Sequence, residues 1–179
     1  MRSKPSDEYL TPPQIAKWVA KLGPWDFDPW GHDQQLVKVA EKATFIRQGA
    51  KWPTSGKIWA NPPYSCARLC VRQLAQWYTE APEERTVLAL VVAAPGSAYW
   101  SEFVWPYAVV VFPPRIKFWR LNEERLPAPT FDSPTRDLAF LLWTKDRDLR
   151  EKFVSDARAG RIISRVALEP VACLRAGGR

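Results

Sequence analysis

The chain has 179 residues, 46% hydrophobic and 25% charged, with a formal net charge of +7 and a pI near 9.5. That composition suits one domain with a sizeable core and excludes a disordered or low-complexity chain. No stretch approaches the length of a membrane span and the first residues carry no long apolar run, so a cytoplasmic protein is expected. The basic excess favours a polyanion, nucleic acid above all, as partner.

Residues 1–10 are polar and are expected to be loosely held. Thr11-Pro12 reads as an N-cap followed by proline at the first helical position, and Ile15, Trp18, Val19 and Leu22 then recur at helical spacing. Gly23-Pro24 stops that helix. Residues 25–27 predict a short strand that runs into a rigid turn, Asp28-Pro29-Trp30-Gly31. The stretch from His32 to Gly56 is less regular, with a short helical piece expected over 34–42. Residues 57–60 predict a second strand, and Ala67, Val71, Leu74 and Tyr78 one face of a helix that begins near Ser65 and ends before Pro82.

Residues 86–94 form a continuous β-branched and aliphatic run, as in a strand covered on both faces. A short helix over 99–104 and a buried strand over 108–112 follow. Residues 120–136, rich in proline and charge, read as a long functional loop. A third apolar strand over 138–143, a charged helix over 146–159 and a last strand over 162–168 complete the domain, with 169–179 as a tail. Helices alternating with buried strands predict a single Rossmann-like α/β domain, spanning 11–168, with a doubly wound, mostly parallel sheet of reduced size. Of the ten tryptophans, Trp18, Trp59, Trp77 and Trp143 fall in apolar segments and read as core, whereas Trp25, Trp30 and Trp52 fall where they could line a pocket. Cys66 and Cys70 share a helix face, but with Cys173 remote and His32 the lone histidine no four-ligand metal set assembles, so no metal is expected.

The most informative stretch is Asn61-Pro62-Pro63-Tyr64, at the carboxyl end of the strand over 57–60, where open α/β sheets bind their ligands. Read blandly, it is a proline-stiffened turn bearing a surface tyrosine. Read chemically, the Asn61 side-chain oxygen and the Pro62 carbonyl can both accept hydrogen bonds from one exocyclic NH2, while Tyr64 offers a face on which a planar base stacks. The amino nitrogen of a base or an amide is a poor nucleophile because its lone pair is delocalised. Two acceptors on its hydrogens favour a pyramidal nitrogen that faces an electrophilic methyl, so orientation and fixed dipoles supply most of the rate. Asp26 or Asp28, after the first strand, could accept from an ammonium group or a ribose hydroxyl. The helix that opens at Thr11-Pro12-Pro13 presents an amino terminus that favours a carboxylate.

With these motifs in this order the chain resembles the phage-type, Dam-like DNA N6-adenine methyltransferases, which depend on S-adenosylmethionine. The likeness is carried by Asp7-Glu8-Tyr9-Leu10-Thr11-Pro12-Pro13, Phe27-Asp28 and Gly56-Lys57-Ile58-Trp59-Ala60-Asn61-Pro62-Pro63-Tyr64-Ser65. It continues through Trp100, Phe103, Arg115-Ile116-Lys117-Phe118 and Ser133-Pro134, and covers residues 7–143. The resemblance implies that S-adenosylmethionine is the cofactor, double-stranded DNA the partner and the exocyclic N6 of a flipped adenine the acceptor. It implies that Thr11 and Pro12 contact the methionine end of the cofactor, and that Asp28, with Asp26 and Gly31, forms its binding turn. Asn61, Pro62, Pro63 and Tyr64 are then the catalytic group, while Arg115, Lys117 and Phe118 close over the base or approach the DNA. The same four residues also serve enzymes that methylate cytosine N4, guanine N2 of RNA or a protein glutamine, and a degenerate relative would only bind DNA. The turn after Asp28 holds one glycine in place of a glycine-rich loop, and no separate recognition domain is expected. Recognition is therefore expected from the loops over 31–56 and 113–136.

Overall fold

Arg85–Val92 contains no polar residue that could mark an outward face beyond its first two positions, and from Thr86 to Val92 every residue is buried. A strand of that kind must be covered on both sides. In the computed structural model, which describes residues 9–32, 34–44, 52–124, 126–130 and 136–159 and the backbone alone of 166–168, it is the middle of a seven-stranded sheet. The strands are β1 Trp25–Asp28, β2 Ala40–Ala43, β3 Gly56–Ala60, β4 Arg85–Val92, β5 Val109–Phe112, β8 Leu138–Trp143 and β9 Val166–Leu168, in the order β2-β1-β3-β4-β8-β5-β9. A separate two-stranded ribbon pairs β6 Trp119–Leu121 with β7 Pro127–Pro129. The helices are α1 Pro13–Leu22, α2 Ala67–Glu80, α3 Ala98–Phe103 and α4 Arg147–Arg158.

β2, β1, β3 and β4 are mutually parallel. β8 runs against both β4 and β5, which leaves β5 aligned with the parallel set and β9 reversed. The sheet is thus mostly parallel by strand direction, though a reversed strand stands between β4 and β5.

Period-2 alternation divides the core into two layers. Leu88, Leu90 and Val92 of β4 with Leu138, Phe140 and Leu142 of β8 face α1 and α4, whose Trp18, Leu22, Phe153 and Val154 join the same cluster. Val87, Ala89 and Val91 with Ala139, Leu141 and Trp143 face α2 and α3, which contribute Val71, Leu74, Trp77 and Trp100. Helices on both faces of the sheet are what the sequence pattern predicts. Trp18 ties the two helices of the first layer, since its indole N–H donates to the buried Asp156 carboxylate of α4 at 3.0 Å.

Four local expectations are revised. Residues 40–43 pair with β1 as an outer strand, so the helical piece expected over 34–42 is absent among the described residues; three of its four side chains are exposed, and no apolar run marked it as a strand. The loop expected over 120–136 is in part the β6–β7 ribbon. Leu10, placed by its neighbours in a loose terminus, is fully buried, and its N–H and carbonyl both bond to Trp119, at 2.8 and 3.2 Å. Trp25 lines no pocket: it is 2% exposed and its indole donates to the Val19 carbonyl. Residues 1–8 of the expected terminus, the tail over 169–179 and Ser133-Pro134 lie outside the described residues. Among the described residues no helix is long and apolar enough to cross a membrane.

Candidate active site

Chain order and strand order part company at β1. From β1 the chain passes to β2 on one side and then to β3 on the other, so the carboxyl ends of β1 and β3 flank the switch point at which open α/β sheets take their ligands. β1 ends on Asp28, and β3 delivers Asn61 immediately after Ala60. Thr11 and Pro12, just ahead of α1, reach the same place.

Three groups join there through hydrogen bonds. The Asn61 amide nitrogen donates to the Thr11 hydroxyl at 3.1 Å, and the Gln35 side-chain amide donates to the Thr11 carbonyl at 3.1 Å. The Asn61 side-chain oxygen is buried and accepts from nothing. Folded chains leave few buried acceptors unmatched, because each costs about 1–3 kcal/mol. The Tyr64 hydroxyl, in the short 3-10 turn Tyr64–Cys66 that opens α2, is buried without a partner as well. Burial and the neighbouring Tyr9 push its titration well above the ordinary phenol range, so it stays a neutral ring. That ring is held by Tyr9, 5.8 Å away and tilted, and by the edge of Phe118 at 5.9 Å. Arg120 covers Tyr9 in turn, with its guanidinium 4.7 Å from the ring centre. The tyrosine is half-buried and clamped, so it is not the loose surface residue of the bland reading.

Two hollows adjoin these groups. A cavity of about 310 Å³ lies at the ends of β1 and β2, lined by Asp28, Gly31, His32, Gln35, Lys38 and Trp59. The Asp28 carboxylate accepts from the Trp30 N–H at 2.9 Å, and burial, opposed by that bond, raises its pKa to about 7. Gly31 is needed for contact: a Cβ there would sit 2.5 Å from that of Ala43. Trp30 packs edge-on against Trp52, which adjoins Trp77 of α2, so the turn is braced from behind. The second hollow, a cleft of about 480 Å³, lies beyond Tyr64 at the carboxyl end of β4, with Tyr99 and the exposed Arg68 and Arg136 around it.

Not every expected residue belongs to this arrangement. Asp26 is turned toward the amino ends of the strands: its carboxylate accepts from the Lys57 N–H at 2.7 Å, and it lines a groove with Gly56, Lys57 and Asp146. Gly56 has φ +106°, and a side chain there would meet Asp26 Oδ2 at 2.5 Å. Asp26 therefore closes the β1–β3 junction, and the acidic residues that line the cavity are Asp28 of β1 and Glu41 of β2. Phe118 is fully buried behind Tyr64, so it backs the tyrosine rather than lining an open surface. Arg115 and Lys117 alternate with the buried Ile116 and Phe118 and are exposed. Sequence reasoning passed over Gln35, Tyr99, Arg68 and Arg136. Arg68 stands one helical turn before Arg72 on the exposed side of α2, which a charge count along that helix would have found; Gln35 carried no signal. Cys66 and Cys70 lie with their sulfurs 3.4 Å apart, and among the described residues no group of three metal-ligating side chains forms. Among known proteins, no family model matches the chain and no curated protein matches it at a significant level.

Proposed function

We propose that the protein is an S-adenosylmethionine-dependent methyltransferase that modifies the N6 amino group of adenine in DNA. The observation that carries the reading is the Asn61 side-chain oxygen, buried and unmatched beside a stiff Pro-Pro turn at the sheet's switch point. An acceptor left in that condition suits a donor that arrives with a ligand. An exocyclic NH2 is such a donor, and the Pro62 carbonyl supplies the second acceptor.

The residues fit the cofactor. The cavity beside Asp28, Gly31 and Gln35 is at the small end of the range for ligand sites and would take its nucleoside portion, with the Asp28 carboxylate accepting from hydroxyl or ammonium groups. Bound there, the cofactor supplies an electrophilic methyl. The chain supplies orientation: Asn61 and Pro62 fix the acceptor amino group, and Tyr64, clamped by Tyr9 and Phe118, provides a rigid face for the flipped base. No side chain has to remove a proton first, since the nitrogen loses it after transfer. The cleft of about 480 Å³ beyond Tyr64 is lined by Tyr64 and Tyr99 and is large enough for a base, and Arg68 and Arg136 at its edge suit phosphates better than a peptide glutamine. Adenine, over cytosine, is what the resemblance implies.

The test is to incubate the full chain with methyl-labelled cofactor and unmethylated duplex DNA and to identify the labelled nucleoside after digestion. Label in N6-methyladenine supports the reading. Label in N4-methylcytosine replaces the acceptor, and no label with any nucleic acid removes the function.

A further inference from the structure

Thr11 engages both its side chain and its carbonyl within the protein. It is 3% exposed, its hydroxyl bonds to the Asn61 amide at 3.1 Å, and its carbonyl accepts from Gln35. We infer that Thr11 is a positioning residue that fixes the orientation of the Asn61 amide, rather than a side-chain contact to the cofactor. The inference rests on the proposed amino-group chemistry for its kinetic consequence, and on the hydrogen bonds alone for the contact.

The orientation decides what the site can recognise. With the Asn61 nitrogen on Thr11, the oxygen is left without a partner and is the atom that can accept from an incoming NH2. With the amide turned over, the hydroxyl would donate to the oxygen and the NH2 would face outward, opposing the acceptor group donor to donor. The structure holds the first state, with the nitrogen on the Thr11 hydroxyl and the oxygen left without a partner. Pro62 and Pro63 follow Asn61 directly and carry no N–H, which removes the nearest backbone donors that could otherwise hold the amide. Gln35 lines the nucleoside-sized cavity and holds Thr11 from the other side, so one hydrogen-bonded chain runs from that cavity to the acceptor group.

Thr11→Val keeps the shape and removes the hydroxyl; Thr11→Ser keeps the hydroxyl. Single-turnover methyl transfer at saturating cofactor and calorimetric binding of S-adenosylmethionine are measured for both and for the wild type. The expected result is a roughly 10- to 100-fold slower transfer in Thr11→Val, as for a misplaced group at a reacting centre, with cofactor affinity unchanged and most of the rate restored in Thr11→Ser. Full-rate transfer in Thr11→Val, or weakened cofactor binding with transfer intact, overturns the inference. A second readout needs neither activity nor the variants. In the wild type the Asn61 side-chain NH2, assigned by NMR through its loss in Asn61→Asp, should exchange slowly with solvent. Exchange as fast as that of a surface asparagine overturns the inference even where methylation is observed. A wild type that transfers no methyl removes the proposed function, while slow exchange in the same sample would still establish the contact.

Discussion

Asp28 and Asn61 stand at the carboxyl ends of the neighbouring strands β1 and β3, and the proposed chemistry rests on both. Asp28 is an acid whose folded pKa, about 7, lies above its ordinary value of 3.8 because burial disfavours the charged form. Between those values the folded chain binds more protons than the unfolded one, so stability declines as pH rises from about 4 to about 7 and levels off above. Asp28→Asn should flatten that slope, as urea titrations at pH 5 and pH 8 would read. Cofactor affinity in the wild type should rise through pH 7 as the carboxylate ionises, and the asparagine variant should lose the rise. An affinity that ignores pH would remove Asp28 from the pocket. At this scale the sequence was legible for Asn61, Pro62, Pro63 and Tyr64, because proline stiffness and an acceptor side chain are local properties. Asp26 and Asp28 were not separable. Two residues apart on a strand they share a face, and only the long-range approach of Gly56 and Lys57 shows which one the sheet consumes.

Among the elements, α4 is the clearest case of a terminus built by one side chain. Asp146 caps it by accepting from the Leu149 N–H at 3.0 Å, and that bond, helped by Lys57 at 3.5 Å, holds its carboxyl below the usual range. Asp146→Ala should cost about 1 kcal/mol and lower the melting temperature by roughly 2–4 °C, nearly all of it from the cap, since an exposed ion pair contributes little. Calorimetric melting of the variant checks this, and an unchanged midpoint would contradict it. α1 was readable from apolar periodicity, β3, β4 and β8 from continuous apolar runs, and α4 as a charged segment after the last of them. β2 and the β6–β7 ribbon were not. β2 keeps only Ala40 buried, and the ribbon carries prolines at both ends of one strand, so neither offers the alternation that reveals a strand. Their existence depends on pairing, of β2 with the preceding strand β1 and of β6 with β7, rather than on a pattern of their own.

For the whole molecule, the two-layer α/β plan follows from alternating helices and buried strands, yet the strand order does not. No local signal says that β8 enters between β4 and β5 in the reverse direction; register across Leu88 and Leu142 decides that. The charge of +7 is likewise a global quantity whose use depends on placement. Arg115 and Lys117 point outward beside the ribbon, while Arg68 and Arg136 stand at the cleft. If this face meets DNA, Arg115→Ala and Lys117→Ala should each weaken binding across sequences and reduce the slope of log affinity against log salt by about one. Fluorescence anisotropy over a salt series measures both, and an unchanged slope would move the contact elsewhere.

The central claim is that the unmatched Asn61 oxygen holds the acceptor amino group during transfer. Its most direct test is the single-turnover rate of methyl transfer to DNA by Asn61→Ala, taken beside its affinity for S-adenosylmethionine. The account predicts a rate lowered by about 10²-fold or more with cofactor affinity unchanged, as for the loss of one preorganised polar contact. A variant that transfers methyl at the wild-type rate would contradict it.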